Sequence, residues 1–173
     1  QSKLENYDAL INLIGIGRQT PESTFEEINL NLTKDVIKIC KNVEIKKIVF
    51  ISGLGVSKSN TSDYFASKYK AEQEIINSGL DYTIFRASYI MGKTDHLTKA
   101  LSKQMKNGVI VIPGSGKYRL QPIFVLDVAK IILEAVLHKK FSKKIIDLVG
   151  PQKINFEDFV KLFAKNTGTK IEK

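Results

Sequence analysis

Three short apolar runs rich in β-branched residues, Y-D-A-L-I-N-L-I-G at 7–15, K-K-I-V-F-I-S-G at 46–53 and D-Y-T-I-F-R at 81–86, alternate with segments of helical periodicity. Runs this short and this continuously apolar have no polar face to turn to water, so they read as strands buried on both sides. Strands of that kind joined through helices pair in parallel, because a parallel neighbour needs a crossover. Between the first two runs, Thr24 and Glu27 fit a capping box that opens a helix from about Phe25 to Lys41. After the second, a helix from about Ser62 to Ser78 carries an apolar stripe of Ala66, Ala71, Ile75 and Ile76 and stops at Gly79. The alternation predicts an α/β chain with a doubly wound parallel sheet.

Beyond residue 88 the pattern loosens. A short helix is expected over 95–107, and a small strand, V-I-V-I-P, over 109–113. P-I-F-V at 122–125 reads as extended. An apolar helix follows from Val125 to His138, then a strand over 144–150 and a closing amphipathic helix over 155–165. No repeat, low-complexity tract or interdomain linker is visible. The expected organisation is a sheet portion over 1–88 and a mixed, smaller portion over 89–173, with about 122–150 returning to the sheet.

With 173 residues, 43% apolar and 26% charged, the chain can bury a core as one ordinary domain. No apolar run approaches the ~20 residues needed to span a bilayer, and no signal peptide is visible. The single cysteine, Cys40, excludes an intrachain disulfide and falls on the apolar side of its helix, as a small buried hydrophobe. A cytoplasmic location is the expectation. The net charge is +9, yet Arg18, Arg86 and Arg119 are the only arginines among the 27 basic residues. Lysines scattered over helices and turns read as solvated surface, and nucleic-acid recognition, which favours arginine forks, is not expected.

Two Tyr-x-x-x-Lys pairs occur, Tyr64/Lys68 and Tyr89/Lys93. Random placement would supply about 0.8 of them, so the spacing alone says little. Context separates the two. Tyr89 and Lys93 sit in S-Y-I-M-G-K-T-D, a strand end running into a loop, where that spacing has no set geometry. Tyr64 and Lys68 open a helix, where residues four apart stack on one face. A tyrosine beside an ammonium has its phenolate favoured, which suits acid–base work near neutral pH. The bland alternative is a half-buried tyrosine next to a solvated lysine. G-I-G-R-Q-T at 15–20 departs from a dinucleotide fingerprint at Thr20, and no acidic residue closes a second strand about 20 residues on. G-S-G-K-Y at 114–118 has Tyr118 where a magnesium-binding hydroxyl is required. His96, His138 and Cys40 have no metal-ligand spacing, so no metal is expected.

The ordered series is more specific than any one motif: L-I-N-L-I-G, F-E-E-I-N-L-N-L-T, I-V-F-I-S-G-L-G, Y-F-A-S-K, Y-T-I-F-R-A-S, then P-G-S-G and R-L-Q-P-I-F-V-L-D-V-A. Over nearly its whole length the chain resembles the later part of a short-chain dehydrogenase/reductase of the extended or atypical kind. It is similar to the branch that holds the nucleotide-binding accessory subunit of mitochondrial complex I and NAD-dependent epimerase/dehydratase-like proteins. The resemblance implies an NAD(P)-binding Rossmann-like sheet, N-terminally incomplete, with a small C-terminal substrate-binding portion, and NAD or NADP as cofactor. It implies Tyr64 as the acid–base residue. Lys68 would lower the Tyr64 pKa and hold the nicotinamide ribose, and Asn29 would support a proton relay. Leu13, Ile14 and Gly15 would pass along the adenine–ribose side, Ala87 and Ser88 near the nicotinamide, and Arg119 and Gln121 toward a small-molecule substrate. Asp127 would cap the helix behind them.

Three departures bear on that reading. The family serine falls where this chain has Gly53 or Leu54, leaving Ser52 as the candidate and Ser57 as a weaker substitute. Ala87 replaces the proline usual after the arginine. The glycine-rich first βα unit is not found, so roughly 60–80 residues of sheet, at about 30 per βαβ unit, are expected upstream of Gln1 in a protein of about 230–250 residues, or another chain covers the edge. Three functions remain open: an NAD(P)-dependent oxidoreductase or nucleotide-sugar epimerase/dehydratase-like protein, a non-catalytic NAD(P)-binding accessory or assembly protein, and an RNA-binding relative.

Overall fold

The computed structural model describes residues 7–107 and 110–168. Its central feature is a four-stranded parallel sheet of β1 (Ala9–Asn12), β2 (Lys47–Gly53), β3 (Asp81–Ala87) and β7 (Lys144–Leu148), in that spatial order. β2 pairs with β3 along its whole length, from Lys47 opposite Asp81 to Gly53 opposite Ala87. The chain divides into two compact units, residues 1–87 with 129–148, and residues 88–128 with 149–173.

In the first unit the helix after β1 starts as a π-helical stretch, Glu26–Asn31, and continues as α1 (Leu32–Asn42). The capping box forms as expected: the Thr24 amide and hydroxyl donate to Glu27 Oε2 at 3.2 and 2.8 Å, and the Glu27 amide donates to Thr24 Oγ1 at 3.1 Å. α2 runs from Asp63 to Ile76. One face of the sheet, with Ile48, Phe50 and Ile84, packs on Leu30, Val36, Ile37 and Cys40 of the first helix and on Ala71 and Ile75 of α2. Period-2 alternation puts Val49 and Phe85 on the other face. There the Phe85 ring meets Phe141 edge-on at 6.2 Å, and Thr83 Oγ1 donates to the Phe141 carbonyl at 2.9 Å.

The second unit holds β4 (Ile90–Met91), α3 (His96–Lys106), β5 (Arg119–Leu120), β6 (Ile123–Phe124), β8 (Ile154–Asn155) and α5 (Phe156–Thr167). β4 pairs in parallel with β6, and β5 antiparallel with β8. Leu101 and Met105 of α3 pack with Phe156, Phe159, Val160 and Ala164 of α5. α4 (Val125–Leu137) starts in this unit and runs into the first, where Ile132 and Ala135 are buried.

The elements differ from expectation in four places. The first strand is regular only over four residues, because Asn12 and Asn29 side chains take the amides of Ile14 and Ile16. The strand expected at 109–113 is irregular from Ile110 to Pro113: the Val111 amide goes to Gln104 Oε1 at 2.8 Å, Val111 is exposed and Pro113 has no N–H. Val109 lies outside the described residues. The strand of 144–150 ends at Leu148, since the Gly150 amide donates instead to the Gln121 carbonyl. Asp127, expected as a cap, is the third residue of α4, inside its first turn. Among the described residues no helix is long and apolar enough to cross a membrane.

Candidate functional site

The carboxyl ends of β1 and β2, the π-helical stretch and the first turns of α2 gather Asn12, Gly15, Asn29, Gly53, Tyr64, Ser67 and Lys68. Asn29 is fully buried, and its amide is spent on two anchors. Oδ1 accepts from the Ile16 amide at 2.9 Å, while Nδ2 donates to the Ile16 carbonyl at 3.2 Å and to Ser67 Oγ at 3.1 Å. Ser67 Oγ in turn donates to the Tyr64 carbonyl at 2.7 Å. The π-helical stretch, the loop after β1 and the start of α2 are thereby tied together by one side chain. Asn12 Oδ1 holds the same loop through the Ile14 amide at 3.0 Å.

Lys68 lies under that loop. Its side chain is 5% exposed, its Nζ donates to the Ile51 carbonyl at 3.1 Å, and the ammonium stands 4.7 Å from the centre of the Phe50 ring. Gly15 is exposed, yet a Cβ there would fall 2.8 Å from Lys68 Nζ and 3.2 Å from Asn29 Oδ1. A side chain at residue 15 would therefore crowd the ammonium from the loop side. Burial pulls the Lys68 pKa down to about 8, against the Glu72 carboxylate, which acts upward.

Tyr64 is half-buried between Phe25 and Phe65, both edge-on, at 5.7 and 5.1 Å between ring centres. A lysine-lowered phenol was expected. Burial instead pushes the Tyr64 pKa above its ordinary value, and Lys68 does not offset it, since its ammonium is turned to the Ile51 carbonyl. The position facing the Tyr64 hydroxyl is Gly53, where a Cβ would lie 3.2 Å from Oη. Ser52, the candidate donor, is 4% exposed on the helix-covered face and its Oγ has no hydrogen-bond partner among the described residues. Gly53 is the last residue of β2, and with no side chain there only backbone meets the Tyr64 hydroxyl.

Leu13 and Ile14 are exposed in the loop after β1. Ala87 closes β3, opposite Gly53 and Leu148, and its carbonyl accepts from the Leu54 amide at 2.8 Å. Ser88 begins the second unit. There Arg119 is exposed on β5, and Gln121 Nε2 donates to the Gly150 carbonyl at 2.7 Å, so its amide braces the backbone. Tyr89 of the second Tyr-x-x-x-Lys pair serves α3: its hydroxyl donates to Asp95 Oδ1 at 3.2 Å and accepts from the Leu97 amide at 2.8 Å. Two residues at the site escaped the sequence reading, Glu72 and Arg86 as partners. Glu72 Oε1 and Oε2 accept from Arg86 Nε and Nη2 at 3.1 and 2.7 Å. The only signal for the first was its place four residues after Lys68 on the same helix.

Residues 1–139 match the family whose model is described as NAD(P)H-binding. The mitochondrial NADH dehydrogenase (ubiquinone) 1 alpha subcomplex subunit 9 of Arabidopsis thaliana is 30% identical over 147 residues, covering 83% of this chain and 37% of that protein. The subunit of the same description from Dictyostelium discoideum is 25% identical over 167 residues, covering 95% of this chain and 46% of that one. This chain thus spans less than half the length of these curated relatives. Among solved structures, the UDP-glucuronic acid 4-epimerase of Bacillus cereus in complex with NAD superposes with a TM-score of 0.83 at 19% identity, over 97% of this chain and 62% of that one. At that identity the likeness is one of fold: a Rossmann-like parallel sheet.

Proposed function

The chain belongs to the NAD(P)H-binding family, and from that premise we propose that it is part of an NAD(P)-dependent oxidoreductase or epimerase/dehydratase-like protein in which Tyr64 and Lys68 act together. The observation that carries the reading is the position of Lys68. A buried ammonium beneath an exposed glycine, at the carboxyl end of a parallel sheet, is costly unless something binds there. Ligands of open α/β sheets lie at the carboxyl ends of the strands, and the residues there fit a dinucleotide. Lys68 would donate to the nicotinamide ribose beside Gly15. Leu13 and Ile14 offer apolar surface beside it, and Ala87 and Ser88 would flank the nicotinamide. The bound cofactor supplies the hydride acceptor or donor for a carbonyl or alcohol carbon.

Tyr64 would move the proton. Its phenol is protonated at neutral pH and could donate to a carbonyl oxygen as it gains electron density, although burial makes it a weaker acid than an ordinary tyrosine. Asn29 would keep the loop and α2 in register, with its role in a proton relay depending on groups beyond its present hydrogen bonds. Arg119 and Gln121 would address the substrate. A second reading, a non-catalytic NAD(P)-binding accessory or assembly protein, is favoured by Gly53: the residue facing the Tyr64 hydroxyl carries no side-chain donor to polarise a carbonyl. The description of the Arabidopsis thaliana and Dictyostelium discoideum relatives as a subunit of an NADH dehydrogenase (ubiquinone) subcomplex points the same way. In either case the open edge of β1 would be covered by further sheet from the same protein or by another chain.

The test pairs calorimetry with NAD(H) and NADP(H) against turnover on a panel of carbonyl and nucleotide-sugar substrates, in the longest natural form of the protein. Tyr64→Phe is expected to leave binding intact and lower turnover by about 10²–10⁴-fold. Binding with no turnover in the unaltered protein selects the accessory reading, and no binding of either dinucleotide ends both.

A further inference from the structure

We infer that Glu72 is a positioning residue for Lys68, a buried negative charge fixed by Arg86 one helical turn beyond the ammonium. The inference rests on the reading of Lys68 as the residue that meets the cofactor. Its starting point is a cost. Glu72 is 0% exposed, between Ala71 and Ile75-level core, where an apolar residue of similar volume would serve stability as well or better. Its carboxylate is held bidentately, with Arg86 Nε at 3.1 Å and Nη2 at 2.7 Å, so α2 is clamped to β3 at one point.

The charges around that clamp decide what it does. Arg86 lies opposite Asp147 in the pairing of β3 with β7, and both Glu72 and Asp147 act on its guanidinium. Asp147 is exposed and Arg86 partly so, and water shares in both their charges, whereas the Glu72 carboxylate is wholly enclosed. Lys68, at i−4 from Glu72 on the same face of α2, is likewise buried and is the second cation beside that enclosed carboxylate. The direct partners of the ammonium, the Ile51 carbonyl and the Phe50 ring, are neutral. The loop and the π-helical stretch face it with the Gly15 backbone and the neutral Asn29 amide. On its own helix Tyr64 is a protonated phenol, and Tyr69 acts on Arg86. Glu72 is therefore the full charge that holds Lys68 as an ammonium, and the Arg86 fork holds Glu72.

Lysine side-chain ¹⁵N NMR over a pH series on the full chain tests this without any cofactor, with the Lys68 signal assigned by its loss in Lys68→Met. In the unaltered chain the midpoint is expected at about 8. Glu72→Gln keeps the shape and removes the charge, and should lower the midpoint by about one pH unit, a tenfold change in proton affinity. Glu72→Asp, which keeps the charge but shortens the reach to Arg86, should retain most of the unaltered value. If Glu72→Gln does not fold, Arg86→Gln, which leaves the Glu72 carboxylate without its guanidinium partner, should raise the midpoint instead. An unmoved midpoint in the foldable variant, or equal midpoints for the Asp and Gln variants, overturns the inference. The pH dependence of NADH affinity in the same variants judges the cofactor reading separately, because the NMR midpoint moves whether or not a dinucleotide binds.

Discussion

Lys68 is the residue at which stability and function pull apart. Its folded pKa lies at about 8, below the ordinary 10.5. A base depressed on folding weakens the fold wherever both states are charged. That penalty is complete below about pH 8 and is relieved as the pH rises toward 10.5, where the unfolded chain still binds the proton that the folded one has lost. Lys68→Met keeps the length of the side chain without its charge. It should stabilise the chain by roughly 2–3 kcal/mol near pH 7 in denaturant unfolding, with the gain vanishing above about pH 10.5. The same variant should lose dinucleotide affinity. A lysine kept at such a cost is consistent with a binding role.

At the scale of elements, Asp81 joins three strands at their amino ends. Its Oδ1 accepts from the Ser142 hydroxyl and, at 3.2 Å, from the Lys143 amide, and its Oδ2 stands 3.5 Å from Lys47 Nζ. Burial acts to raise its pKa, but the hydrogen bonds from Ser142 and Lys143 and the Lys47 charge together hold it below the ordinary value. β2, β3 and the turn into β7 thus share one carboxylate. Asp81→Asn should cost about 1–2 kcal/mol at pH 7 in denaturant unfolding. For a carboxylate lowered on folding, the stabilisation is complete above its unfolded pKa and is lost as the pH falls through the folded one. The gap between variant and parent should therefore close below about pH 3.8. The π-helical stretch is the other element-scale feature. It sets the fully buried Asn29 where one amide reaches both the loop after β1 and Ser67.

Across the whole molecule the sheet is uneven. Among the described residues β1 pairs on one side only, and Ile11 at that edge and Leu13 just beyond it are 44% and 66% exposed. Exposed apolar residues on an edge with unpaired backbone groups invite a partner strand. A version carrying upstream sequence that pairs with β1 should melt at a higher temperature. It should also bind NADH or NADPH at least about tenfold more tightly than the 173-residue chain, equivalent to ~1.4 kcal/mol. Equal affinities in calorimetry would mean that the sites on this chain hold the dinucleotide by themselves.

What could be read from the sequence was whatever depends on local periodicity. The strands at 47–53 and 81–87, the helix 63–76 and the capping box at Thr24 and Glu27 follow from side-chain period and hydrogen-bond chemistry within a few residues. So does the shared helical face of Tyr64 and Lys68. The parallel order also followed, because buried strands joined by helices leave little else. Contacts between distant residues were not legible. That Gly53 and not Ser52 meets the Tyr64 hydroxyl depends on which way the last turn of β2 faces. That Lys68 turns to the Ile51 carbonyl, that Asn29 ties a loop thirteen residues away, and that Arg86 clamps a buried Glu72 are decided by tertiary packing. Proton affinities at the site follow from burial and from charges brought together across elements, and neither exists until the chain has folded.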